Sequence, residues 1–219
     1  MARDEIKEAV GRLDDVTRHL RAECPWDREQ DERTIVPHTV EEAYELADAA
    51  NRGDDAKLLD ELGDVLFQVH FLSLLMEERG AGDMAAVAEH CRQKLIRRHP
   101  HVYGEAEATT AGEVLANWDE IKKGEAGREQ GIFGEVPENL PALLYARKLI
   151  RRARSAGVAD PAPDLHAAAE AASDFDSVGD LLFACVALAR RLHVDPELAL
   201  RAAADRYKAR VQTPENPCE

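Results

Sequence analysis

A chain of 219 residues with 45% hydrophobic and 32% charged side chains has enough apolar mass to offset its ordering entropy, which excludes general disorder and allows one large domain or two small ones. Aromatic residues make up only 5%, with 13 Gly and 10 Pro; this favours helices over the β-branched and aromatic strands of a sandwich, so the expected class is all-α. Lys and Arg number 28 against 43 Asp and Glu, a net charge of −15, and a field of that sign repels a nucleic-acid duplex.

The first residues carry charges where a secretory leader needs an apolar run, and the longest apolar stretch, Val65 to Met76, is interrupted by Gln68 and His70. No membrane association is expected, and the location read from this is cytoplasmic. Ile6, Val10, Leu13, Val16 and Leu20 mark a first amphipathic helix that ends at Cys24-Pro25-Trp26-Asp27. Trp26 is read there as a hydrophobic staple for that helix, the alternative being a stacking wall for a base. A second helix is expected after Pro37, from about His38 to Asn51, and the turn Arg52-Gly53-Asp54-Asp55 separates it from a third over Ala56 to Arg79. Residues 84–98 form a fourth, stopped by Pro100. Four helices with short connections imply an antiparallel bundle.

A polar segment from Tyr103 to Gly112 precedes a short helix, Glu113 to Lys123, and Gly124 to Pro141 is rich in turn formers. The expected division is a catalytic helical domain at 1–123, a linker at 124–139 and a second helical repeat at 140–219. The repeat is suggested by Gly179-Asp180-Leu181-Leu182-Phe183, which matches Gly63-Asp64-Val65-Leu66-Phe67 nearly letter for letter. Cys24, Cys91, Cys185 and Cys218 form no CxxC pair, so free thiols are expected.

On the third helix Leu58, Leu62, Val65, Leu66, Val69 and Met76 are expected to form the buried face, with Lys57, Glu61, Asp64 and Gln68 along one flank. Glu61 and Asp64 are an i,i+3 pair able to meet at one cation, and the preceding helix offers Glu41, Glu42 and Glu45. Antiparallel packing sets two pairs of oxygen ligands face to face, an environment that suits Mg²⁺. Glutamates on helices are more often a solvated face, but like charges crowded at a core edge need a compensating ion. A di-iron bundle is a poor alternative, because neither helix carries Glu-x-x-His.

Lys94, Arg97, Arg98, His99 and His101 make a local anion site suited to a triphosphate. Trp118 and Lys122, at helical spacing, pair an aromatic face with a phosphate clamp. Each, taken separately, is also readable as a surface or packing residue.

The runs Cys24-Pro-Trp-Asp-Arg-Glu-Gln, Glu41-Glu42-x-x-Glu45, Glu61-Leu-Gly-Asp64, Lys94-Leu-Ile-Arg-Arg-His-Pro-His-Val and Asn117-Trp-x-x-Ile-Lys together resemble the MazG family of nucleoside triphosphate pyrophosphohydrolases. The similarity is strong to about residue 155 and weak beyond. The resemblance implies Mg²⁺-dependent cleavage between the α and β phosphates, with Mn²⁺ as a substitute ion. It implies metal ligands at Glu42, Glu45, Glu61 and Asp64 and nucleotide contacts at Lys57, Lys94, Arg98, Trp118 and Lys122. Glu41 is the candidate general base. Broad base specificity, nucleotide-pool housecleaning and a homodimer are the corresponding expectations. A narrower dUTPase-like enzyme and a catalytically silent nucleotide-binding module are the alternatives. In the second copy Ser177 stands where the first has Glu61 and an Ala-rich stretch, 167–172, replaces the EExxE helix, so a scaffolding role is expected there.

Overall fold

The computed structural model describes residues 2–125, 131–134, 136, 137, 139–158 and 164–212. These are all-α, with no strand among them, and the chain divides into two compact units, Met1–Gly104 and Glu105–Glu219. The helix α7, Ala111–Lys123, therefore belongs to the second unit, whereas the sequence set the linker after it, at 124–139.

In the first unit, α1 (Ala2–Glu23) leads directly into a short α2 (Pro25–Glu29), with Pro25 in the first turn where its missing N–H has no partner to lose. The Cys-Pro-Trp-Asp segment thus ends one helix by starting another. Trp26 is half exposed and meets the His38 ring edge-on at 5.8 Å; its ring partner is on the following helix, not on α1.

That following helix, α3, runs Glu32–Arg52 and contains Pro37. The expected start at His38 is too late by a turn and a half. Asp31 accepts hydrogen bonds from the Arg33 and Thr34 amides at 2.8 and 2.9 Å, and Thr34 Oγ1 accepts from the Asp31 amide at 2.9 Å. This capping box anchors the first turn. The extra turn also delivers Ile35 to a core with Phe71 and Leu75 of α4 (Asp55–Glu78). Burial and capping together outweigh the bond that Pro37 removes.

Gly53, at φ 68°, closes α3 in the left-handed conformation, and Asp54 caps α4 by accepting from the Lys57 amide at 3.0 Å. The contacts run antiparallel: Ile35 against Phe71 and Leu75, Thr39 against Gln68, Glu45 against Lys57. The face of α4 that is buried differs from the expected one. Glu61, Gln68, His70, Phe71, Ser73, Leu74 and Leu75 are enclosed, while Leu62 is 50% exposed and Leu66 and Leu59 are exposed as well. Val65, Val69, Leu58 and Met76 are half buried. Both faces of this helix are apolar enough to be core, and the polar flank faces inward because α3 supplies polar partners such as Thr39, whose hydroxyl donates to Gln68 Oε1 at 3.3 Å.

Helix α1 packs on α4 through ion pairs of Arg18 with Glu77 at 2.6 Å and of Arg21 with Glu78 at 2.8 Å, and Asp14, one turn before Arg18 on α1, pairs with the same guanidinium at 2.7 Å. Helix α5 (Met84–Arg98), capped by Asp83, packs on α4 and continues through His99 into the short α6 (Pro100–Tyr103).

In the second unit, α8 (Ala142–Ser155), α9 (Leu165–Ala171) and α11 (Pro196–Gln212) all contact α10 (Phe175–Arg191). Its core joins Ile150, Val186 and Ala187 with Leu143, Ala146 and Phe183. Ser177 accepts from the Asp174 amide at 3.0 Å and closes the cap of α10.

Candidate functional site

The antiparallel register of α3 and α4 sets Glu42 and Glu45 opposite Glu61. One carboxylate oxygen of each lies within 4.8 Å of the others. Glu61 is 2% exposed; its Oε1 accepts from Lys57 Nζ, while its Oε2 is shielded from solvent without a hydrogen-bond partner among the described residues. Lys57 Nζ also approaches Glu45 Oε2 at 3.7 Å. One ammonium thus meets two of three converging carboxylates. Burial pushes the Glu42 carboxyl above its ordinary value, and the like charges of Asp64, Glu45, Glu61 and Glu41 push it further.

A buried orphan carboxylate oxygen facing two more carboxylates is a hard donor set short of positive charge, and it fits a divalent cation with oxygen preference. Asp64 is exposed one turn beyond Glu61, outside the tight group, and acts on Glu42 through its charge. Glu41 is exposed, with Oε2 at 3.9 Å from His38 Nδ1.

Lys94 and Arg98 lie one turn apart on α5, both half buried. Beyond them the His99 and His101 rings stand 5.5 Å apart, His99 Nδ1 is 2.6 Å from the Leu95 carbonyl, and His101 Nδ1 is shielded without a hydrogen-bond partner among the described residues. In the second unit Lys122 Nζ sits 5.7 Å from the Trp118 ring centroid on α7, a cation–π pair. The structure brings the carboxylates and Lys57 together in the first unit and pairs Trp118 with Lys122 in the second.

One residue in the site's support has no sequence signature. Arg21 donates to the carbonyls of Asp27 and Gln30 and to Glu78, and stacks 5.8 Å over Phe71. It ties α2 to the end of α4 that the α3 core grips. Its position within an amphipathic helix gives no hint of this, because two of its partners are backbone carbonyls and the two side chains, Phe71 and Glu78, lie some fifty residues on.

The family model for the MazG nucleotide pyrophosphohydrolase domain matches residues 30–103, the segment holding the three carboxylates and the α5 basic pair. A nucleoside triphosphate pyrophosphohydrolase of Escherichia coli (strain K12) is 38% identical over 206 residues, covering 85% of this chain and 78% of that protein. The chain belongs to the MazG family. A Thermotoga maritima relative described as a nucleoside triphosphate pyrophosphohydrolase/pyrophosphatase MazG is 35% identical over 209 residues, covering 90% of this chain and 80% of that protein. A solved structure of a MazG-related protein from Thermotoga maritima aligns with 52% of this chain and 98% of its own at 25% identity and a TM-score of 0.45. Among the described residues no helix is long and apolar enough to cross a membrane.

Proposed function

We propose that this MazG chain is a Mg²⁺-dependent nucleoside triphosphate pyrophosphohydrolase that releases a nucleoside monophosphate and pyrophosphate. The observation that carries the reading is the convergence of Glu42, Glu45 and Glu61 around the unpartnered Glu61 Oε2, within the segment the family model matches. Glu42, Glu45, Glu61 and Asp64 would hold the ion. When bound, Mg²⁺, or Mn²⁺ in its place, neutralises phosphate oxygens and makes a coordinated water more acidic.

The chain's own groups do the rest. Lys57, already among the carboxylates, balances charge on the phosphate chain; Lys94 and Arg98 hold the β and γ phosphates with charge-assisted hydrogen bonds. Glu41, exposed next to the ligand Glu42, serves as general base. We assign broad base specificity, a housecleaning role in the cytoplasm and a homodimeric state. Support for the homodimer comes from the exposed Val36, Val40, Leu59, Leu62 and Leu66 on α3 and α4, an apolar surface of the kind that a second copy covers.

Titrating the protein with Mg²⁺ and a panel of triphosphates tests this. Turnover of several bases that stops on chelation and returns with Mg²⁺ is the expected result. Turnover of dUTP alone would show narrow specificity, binding without turnover a silent module, and activity that survives exhaustive chelation would contradict the metal assignment.

A further inference from the structure

The second unit contains a cleft of about 700 Å³ lined by Arg147, Arg151 and Arg154 of α8, Arg190 and Arg191 of α10, and the turn residues His193, Val194 and Asp195. Among the described residues, five arginines and one aspartate line this cavity in a chain of net charge −15. Asp195 is already committed: it pairs with Arg147 and accepts from the Glu197 and Leu198 amides at 3.0 and 3.1 Å, capping α11. Arg151 Nε is shielded from solvent with no hydrogen-bond partner among the described residues, a buried donor whose desolvation calls for an acceptor.

The origin of the cleft is legible in the register that aligns Gly179-Asp180 with Gly63-Asp64. Ala187 then falls on Phe71, Arg190 on Leu74 and Arg191 on Leu75. In the first unit those three are enclosed core residues. The second unit has lost a ring's volume and gained two guanidiniums along the same helix. Arginine at two positions that are apolar in the first copy sets forked, charged donors along the wall of this cavity.

We propose that this cleft is a binding site for a compact anion of clustered phosphates, a di- or triphosphate group, separate from the carboxylate site. Guanidiniums are forked donors matched to phosphate oxygens. The volume falls in the range of small-molecule sites, and the chain's overall negative charge disfavours a long polyanion. His193, the one non-glycine with positive φ among the described residues, at 58°, holds the turn that sets its imidazole at the cleft.

The test is calorimetric titration of the full chain with inorganic tripolyphosphate in excess EDTA, so that no metal-bridged binding at the carboxylates contributes. One saturable site per chain is expected. Arg191→Gln, at an exposed position, and Arg151→Gln should each weaken it about tenfold, whereas Glu61→Gln should leave it unchanged. A second arm with a nucleoside triphosphate identifies the source: equal affinity means that the phosphates alone are read, and tighter binding means a nucleotide. Absence of saturable binding, equal affinity in wild type and both arginine variants, loss in Glu61→Gln, or saturation by an oligonucleotide but not by tripolyphosphate would each overturn the proposal. Should Arg151→Gln misfold by circular dichroism, Arg191→Gln decides.

Discussion

Replacing Phe71 with alanine should unlock the α3–α4 pair. Phe71 is 1% exposed and packs on Ile35 and Leu75, with the Phe67 ring 5.9 Å and the Arg21 guanidinium 5.8 Å away. Truncating such a ring costs about 3–5 kcal/mol through lost burial and the cavity left behind. The aromatic pair contributes about 0.5–1.5 kcal/mol more and the cation–π contact about 0.5–1 kcal/mol. Against a domain stability of about 5–15 kcal/mol, the loss is a large share of the whole. Phe71→Leu retains most of the volume and should cost about 1–2 kcal/mol. Urea denaturation followed by far-UV circular dichroism reads both: the midpoint falls, with unchanged slope. Because the same contact fixes the register that sets Glu42 and Glu45 opposite Glu61, Phe71→Ala should also weaken Mg²⁺ binding while Phe71→Leu preserves it. A cost below about 1.5 kcal/mol for Phe71→Ala would refute this account of what holds the helix pair.

Glu61→Gln should leave helicity intact and abolish turnover, since it keeps the shape and removes the buried charge; lost helicity would mark a structural residue instead. Lys94→Ala or Arg98→Ala should weaken triphosphate binding far more than monophosphate binding, and equal losses would place these residues away from the β and γ phosphates. Arg18 beside Asp14 and Arg21 beside Glu78 hold those carboxyls below their ordinary values of 3.8 and 4.5. Depressed carboxyls contribute stability that is present above those values and lost as the pH falls through the lowered ones. Urea midpoints should therefore drop below pH 4.5, and less steeply in Arg21→Met; identical profiles would rule this linkage out. Asp180→Asn should leave kcat nearly unchanged, and loss of activity in a folded, normally assembled protein would make the second copy part of the catalytic machinery.

The periodic segments were readable because 3.6-residue spacing and turn residues are local: α4 and α5 fall within a residue of the expected Ala56–Arg79 and 84–98, after the turn at Gly53 and before Pro100. Pro37 misled because a helix break is a local cost, whereas Ile35 recovers it through contacts with Phe71 and Leu75 some forty residues on. The inward face of α4 was likewise a tertiary choice between two mixed faces, decided by Ile35 against Phe71 and Leu75 and by Thr39 against Gln68. The grouping of Glu42, Glu45 and Glu61 was legible from two i,i+3 patterns and one short turn. The shielding of Glu61 and the clamp made by Arg21 were not, since both depend on how helices stack. The basic cleft of the second unit lies in plain view as Arg190-Arg191, yet two arginines at a helix end read as an ordinary dipole partner until α8 brings three more beside them.

Phosphorus NMR of a triphosphate incubated with the protein and Mg²⁺ is the most direct test of the account, run alongside Glu61→Gln and a chelated sample. Equal amounts of monophosphate and pyrophosphate from the wild type, with neither from the two controls, are predicted. Diphosphate and orthophosphate as products, or undiminished turnover in Glu61→Gln, would contradict it.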